Sequence, residues 1–276
     1  MTKKSVLITG CSSGIGYYCA VELNKESSYQ VFATARKDED VKKLISLGLN
    51  TLKLDLQDSK SIKDCVKEFL KQSDGKIYAL FNNGAYGQPG AVEDLRVEVL
   101  KEQFETNVFG THELTTLLLP IMRKQGYGKI IQNSSVLGFI SLRFRGAYNA
   151  SKYAIEGLSD TLRLELIDSG ISISLIEPGP VRSDFRKNAL AKFIENIDRK
   201  NSFFKDEYSK KLTSLESTKD VPFTLGEDSV YKIFLKILDS NFPKPRYRVT
   251  KVTSIFWFLK RILSSSLLDK ILRKVE

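Results

Sequence analysis

Tyr148 and Lys152 stand four residues apart in a stretch with helical spacing, so their side chains share one face of a helix. Ser135 lies thirteen residues before Tyr148, just past a short apolar run. Together these groups could pass a proton to and from a substrate oxygen. A free phenol has a pKa of ~10, too high for a base at neutral pH. An ammonium one turn away favours the phenolate and would draw Tyr148 toward the working range. Lowering it by ~3 units corresponds to ~4 kcal/mol of differential stabilisation. Ser135 would hydrogen-bond the same oxygen and hold it for Tyr148, the general acid/base. Taken singly, each residue has an ordinary reading: a half-buried aromatic, a snorkelling lysine, a strand-end cap. Their joint order and spacing raise them to candidate catalytic residues.

A second group of residues could hold a nucleotide. Thr9-Gly10-Cys11-Ser12-Ser13-Gly14-Ile15-Gly16 follows the first apolar run and opens a helical pattern. Its glycines permit a tight turn and close approach of backbone to a pyrophosphate, while a helix N-terminus offers free N–H groups to that anion. Gly10, Ser12, Ser13, Gly14, Ile15 and Gly16 are therefore candidate cofactor contacts. A carboxylate ~20 residues beyond the glycines would take the ribose hydroxyl of NAD. Here the second run ends Thr34-Ala35-Arg36-Lys37, and acids begin only at Asp38. The Arg36 guanidinium can grip a phosphate bidentately, which favours NADP (NADPH) over NAD, with Ser12 or Ser13 as a neutral partner.

The elements that must position these groups alternate. Apolar runs at 5–9, 30–35, 51–54, 77–81, 129–133 and 171–177 read as strands. Helical spacing covers 14 to about 28, 40–47, 59–72, about 98–123 and 148–168. This alternation predicts an α/β fold with a doubly wound, Rossmann-type parallel sheet of about seven strands and helices on both faces. The chain reads as one domain over 1–276 with two additions. One is a substrate lid at about 182–225, too long for an ordinary connection. The other is a basic amphipathic extension at about 246–276. Nine cations and two acids fall between Asn241 and Glu276, so that stretch carries +7 of a net +10.

The near-neutral remainder argues against nucleic-acid binding as a global property. Three cysteines without a CxxC pair fit a reducing compartment rather than a zinc site or a disulfide framework, and no metal ligand set is read. The single histidine excludes chemistry that needs two. A serine hydrolase would want a Gly-x-Ser-x-Gly elbow, which is absent, so His112 is read as structural. The start of the chain lacks the pattern of a secretory signal, and a cytoplasmic location is expected. In the tail, apolar residues from Ile255 to Leu272 recur at helical spacing among basic ones. Packing over the site or on a partner subunit is favoured over peripheral membrane contact, because Ser264-Ser265-Ser266 divides the pattern into two short pieces.

In order and spacing, Thr9-Gly10-x3-Gly14-x-Gly16, Asn82-Asn83-Gly84, Asn107, Ser135, Tyr148-x3-Lys152 and Pro178-Gly179 resemble the short-chain dehydrogenase/reductase family over about residues 4–185. The tail, with Lys244-Pro245-Arg246-Tyr247, is similar to bacterial oxidoreductases close to its 17β-hydroxysteroid dehydrogenase-like subgroup. The resemblance implies that Asn107 positions a water in a proton relay from Lys152, which also holds the nicotinamide ribose. It implies that Asn83 contacts the cofactor, that Asp55 and Leu56 flank the adenine, and that Pro178, Gly179, Val181 and Ser183 meet the nicotinamide. It further implies a homodimer or homotetramer, with the helices around Asn107 and Tyr148 as contact faces. One departure is visible: Gly84-Ala85 stands where the family usually has Ala-Gly, which matters if the second position needs a positive φ. Leu142, Phe144 and Phe185 would add apolar walls around Ser135 and Tyr148, suited to a small lipophilic carbonyl or alcohol: an aldehyde, a retinoid-like or a hydroxysteroid-like molecule. The alternative is a non-catalytic, dinucleotide-sensing protein on the same sheet.

Overall fold

Successive residues in a strand face opposite sides, and in a parallel sheet both sides are covered, so each strand must be apolar in both registers. The computed structural model, which describes residues 3–216 and 221–275, shows this directly. The chain runs β1 (Lys4–Ile8), α1 (Gly14–Leu23), β2 (Tyr29–Ala35), α2 (Asp38–Ser46), β3 (Asn50–Lys53), α3 (Ser59–Gln72) and β4 (Ala79–Asn82). It continues through α4 (Val97–Phe104), a π-helical turn (Glu105–Phe109), α5 (Gly110–Gln125), β5 (Gly128–Asn133), α6 (Gly146–Glu165) and β6 (Ile171–Glu177). Then come α7 (Phe185–Asn196), α8 (Lys205–Glu216), α9 (Asp228–Asp239), β7 (Arg246–Arg248), α10 (Lys251–Ile262) and α11 (Ser265–Leu272).

The seven strands form one parallel sheet in the order β3-β2-β1-β4-β5-β6-β7. Val6, Ile8, Val31, Ala33 and Phe81 pack on one side with Cys19, Ala20 and Leu23 of α1 and Val230, Phe234 and Ile237 of α9. Their neighbours Leu7, Phe32, Leu80 and Ile130 pack on the other side with Phe69 of α3 and Leu114, Leu118 and Met122 of α5. The strand order reverses between β1 and β4. In such sheets a crevice opens there at the carboxyl ends, where ligands bind.

Two elements differ from expectation. The first helix ends at Leu23, not near residue 28, because 24–28 is polar and turns back: the Tyr29 N–H donates to the Glu26 carbonyl at 3.2 Å. The long helix expected over 98–123 is interrupted by the π-helical turn centred on Asn107. At Gly110, which follows it, a Cβ would lie 1.9 Å from the Leu56 carbonyl oxygen. Only a glycine lets α5 approach the β3–α3 connection so closely.

Beyond β6, α7 and α8 pack over a third cluster of Ala91, Phe144, Phe193, Ile197 and Tyr208. The Tyr208 hydroxyl donates to Asp94 and accepts from the Ala91 N–H. Residues 217–220 of the expected lid lie outside the described residues. The expected extension at 246–276 begins as the seventh strand, paired with β6. The inner face of α10 buries Thr253 and Phe256. Lys260 donates to the Phe139 carbonyl and to the Tyr153 hydroxyl. Both the Arg248 and Arg261 guanidiniums lie over the Trp257 ring, 3.9 and 3.7 Å from its centroid.

Candidate active site

The carboxyl ends of β1, β4 and β5, the turn after β5 and the start of α6 bring the expected groups together. Ser135 leaves β5 in an extended conformation, and its hydroxyl accepts from the Leu137 N–H at 3.1 Å, closing a short 3-10 turn. Tyr148 is the third residue of α6, and Lys152 follows one turn later. The Lys152 ammonium donates to the Asn133 carbonyl at 2.7 Å and sits 5.6 Å from the centroid of the Tyr148 ring. The Tyr148 ring meets Phe185, the first residue of α7, edge to face at 5.1 Å. Phe185 in turn rests on Gly87, where a Cβ would fall 2.5 Å from its ring. Helix α7 thus begins on the tyrosine itself.

The electrostatics correct one expectation. Lys152 does not draw the Tyr148 phenol down. Burial pushes the phenol up to about 12, against a hydrogen bond from Ser135 and the charge of Arg145. Burial also pulls the Lys152 ammonium down to about 8, against the charge of Glu156. The cause is placement: the ammonium is tied to the Asn133 carbonyl beneath the ring, so desolvation dominates at the hydroxyl. Burial thus favours the protonated form of the phenol.

Asn107 is buried, and its side chain makes three hydrogen bonds. Its Oδ1 accepts from the Tyr86 N–H at 3.1 Å, and its Nδ2 donates to the Tyr86 carbonyl and the Ser151 hydroxyl, both at 3.0 Å. That amide ties the loop after β4 to α6 beside Lys152. His112 is exposed on α5 and lies on the surface rather than in the core.

The glycine-rich turn is a cradle that side chains would fill. Gly10 and Gly14 have φ of +70° and +59°, a region that favours glycine. A Cβ on Gly10 would lie 2.6 Å from Gly84 Cα, and one on Gly16 would lie 2.3 Å from the Gly10 carbonyl oxygen. The Ser13 side chain makes no capping hydrogen bond and the first turn of α1 holds no acid, so Ser12, Ser13 and Ile15 surround N–H groups free to meet an anion. Asn83 donates to the Thr9 and Gly10 carbonyls at 2.9 and 3.2 Å and accepts from Asn133 at 2.8 Å. Its amide braces the glycine-rich turn against the end of β5. The Gly84-Ala85 departure is harmless, since neither residue has a positive φ.

Arg36 is exposed at the end of β2, and its charge reaches the buried Tyr86 hydroxyl, which has no hydrogen-bond partner among the described residues. Asp55 is half-buried and accepts from the Gln57 N–H; Leu56 packs near Gly84. The Pro178 carbonyl accepts from the Val136 N–H at 2.8 Å, and a Cβ on Gly179 would lie 2.3 Å from the Thr250 hydroxyl. Val181 bridges to Leu225, and Ser183 lies against Gly14 across the crevice. The Leu142 carbonyl accepts from Asn149. Phe144 is buried among Phe204 and Tyr208 at φ +57°, so it packs beneath α7 and α8 rather than lining an open wall.

A further cluster escaped the motif reading. Arg246 of β7 pairs with Glu156 and Asp160 of α6 at 2.9 and 2.7 Å and with Glu177 of β6 at 3.2 Å. Ser134 donates to Glu156, and a Cβ on Gly138 would lie 3.0 Å from Glu156 Cγ. One guanidinium shared among three acids leaves burial dominant, and it pushes Glu177 up to about 7. Glu156 was in reach of sequence reasoning as the residue one turn after Lys152. Arg246 was not, because only the sheet brings β7 beside α6.

A doubly wound α/β sheet with a half-buried tyrosine, a buried lysine one turn on and a serine at its carboxyl edge describes a class of proteins. The chain belongs to the short chain dehydrogenase family, whose profile matches residues 4–192. It is 41% identical over 276 residues to the uncharacterized oxidoreductase YbbO of Escherichia coli (strain K12), covering 98% of this chain and 94% of that one. It is 33% identical over 263 residues to 17-beta-hydroxysteroid dehydrogenase type 1 of Homo sapiens, covering 91% and 79%. The crystal structure of a short-chain dehydrogenase from Streptomyces avermitilis matches with a TM-score of 0.78 and 26% identity, covering 99% and 100% of the two chains. The protein is an oxidoreductase of this family.

Proposed function

We propose that the protein is an NADP(H)-dependent oxidoreductase acting on a lipophilic carbonyl or alcohol, with Tyr148 as general acid/base. The observation that carries this reading is the convergence of Ser135, Tyr148 and Lys152: a serine at the end of β5 close enough to favour the phenolate, with an ammonium 5.6 Å from the centre of the same ring. When bound, the nicotinamide cofactor supplies or receives the hydride. Ser135 holds the substrate oxygen, and the protonated Tyr148 donates to it in reduction and takes the proton back in oxidation. Lys152 keeps its charge below about pH 8 and holds the ribose hydroxyls. Gly10, Gly14, Gly16 and the uncapped start of α1 receive the pyrophosphate. Arg36, exposed and without an ion pair among the described residues, takes the 2′-phosphate, which supports NADP over NAD.

The apolar character of Phe185 and the lid supports a lipophilic substrate, and the human hydroxysteroid dehydrogenase relative agrees with that class. The test is oxidation of NADPH and of NADH against a panel of aldehydes, ketones and steroids. Wild type is expected to prefer NADPH and long or cyclic apolar carbonyls. Tyr148→Phe should lose about 10²–10⁴-fold in kcat while still binding NADPH. Binding without any turnover by wild type would instead support a dinucleotide sensor, and activity confined to small sugars or hydroxy acids would sink the substrate class.

A further inference from the structure

In the tail, α10 packs inward with one face and leaves the other largely exposed. Ile255, Phe258 and Ile262 share a stripe by their spacing, and they are 55%, 55% and 58% exposed. Lys251 extends the same stripe, and exposed Arg261 adjoins it. After the break at Ser264, α11 buries no residue fully; its Leu267 is half-exposed, and Lys270 and Lys274 share its face by spacing. Leu272 and Arg273 of α11, with Asp269, face Ser141 and Arg143 across a cavity of about 300 Å³, so the helix lies along the loop that follows Ser135. Apolar side chains bare in water and interleaved with cations on two consecutive surface helices are arranged as interfacial helices are.

We propose that α10 and α11 dock the protein on an anionic lipid surface, with Ile255, Phe258, Ile262 and Leu267 entering the headgroup region and Lys251, Arg261, Lys270 and Lys274 meeting lipid phosphates. Charge complementarity selects this occupant. From Lys251 to Glu276 the chain holds six cations and two acids. A second copy on a two-fold axis would set the same patch against itself and bring like charges together. A bilayer bearing anionic headgroups meets both the apolar stripe and the cations. No described helix is long and apolar enough to cross a membrane, so the contact is one of surface docking. Because Lys260 holds the Phe139 carbonyl, docking sets the turn that carries Ser135 one helix away from the bilayer. The inference goes beyond the proposed chemistry and does not need it, since vesicle recovery does not depend on turnover.

The experiment is co-sedimentation of the full chain with phosphatidylglycerol vesicles and with phosphatidylcholine vesicles. Wild type should pellet with phosphatidylglycerol, stay in solution with phosphatidylcholine, and be released by about 0.5 M salt. Ile255→Ser/Phe258→Ser/Ile262→Ser should abolish pelleting with an unchanged melting midpoint, since these side chains are already in water. Arg261→Gln/Lys270→Gln/Lys274→Gln should weaken it by about tenfold or more. Equal recovery on both lipids, or unchanged recovery of the apolar variant, overturns the proposal. So does a wild type that ignores vesicles while the apolar variant drops in oligomeric mass, which would assign the stripe to a second copy.

Discussion

At the scale of single residues, the site is governed by burial more than by attraction between the Lys152 ammonium and the Tyr148 phenol. The phenol goes up and the ammonium comes down, each because the charged form loses water. Glu156 is the counterweight that keeps Lys152 charged, and it faces Lys152 and Asp160 on α6, Glu177 on β6 and Arg246 on β7. This makes Glu156 a positioning residue with a testable sign. In Glu156→Gln, Lys152 should lose its proton at lower pH, so the alkaline limb of kcat/KM moves down by about one unit while the acid limb stays. A loss of activity equal at every pH would show that Glu156 only supports the fold.

At the scale of elements, the π-helical turn and the glycine after it do work that a continuous helix could not. The turn carries Asn107 to the Tyr86 backbone and Ser151, and Gly110 then lets α5 lie against Leu56. Gly110→Ala sets a Cβ against backbone 1.9 Å away, so one of the two elements must move. We expect about 2–4 kcal/mol of destabilisation, the upper range for overpacking, seen as a lower denaturant midpoint at unchanged m-value. An alanine in a helix interior would otherwise be mildly favourable, so the sign of the change separates close approach from propensity.

At the scale of the whole molecule, most of the architecture was legible because parallel strands must be apolar on both faces and amphipathic helices must not. The helix Ser59–Gln72 was read at both ends; in the structure it is capped by Asp58, whose side chain accepts from the Lys60 N–H. The strand Ile171–Glu177 was read likewise. The grouping of Ser135, Tyr148, Lys152 and the glycines was legible because each sits at the end of an element whose period is plain. What was not legible depends on direction rather than spacing. The four-residue interval places Lys152 near Tyr148 but says nothing of the Asn133 carbonyl that captures its ammonium. Nor does it say that Phe144 turns under α7 and α8. Phe109, Leu158 and Leu164 remain 52%, 45% and 61% exposed on the helices expected to meet a second copy. Light scattering should accordingly find two or four chains per particle, each of 31.2 kDa, and Leu158→Glu should reduce that number without lowering the melting midpoint. A monomeric wild type would refute the expectation.

The chain contains one tryptophan, Trp257, and two guanidiniums cover its indole. Its emission spectrum is therefore a private signal from α10, uncontaminated by any other indole. Wetting, drying or repacking of that single turn will shift the colour of the entire protein's fluorescence, without a label and without touching the chemistry.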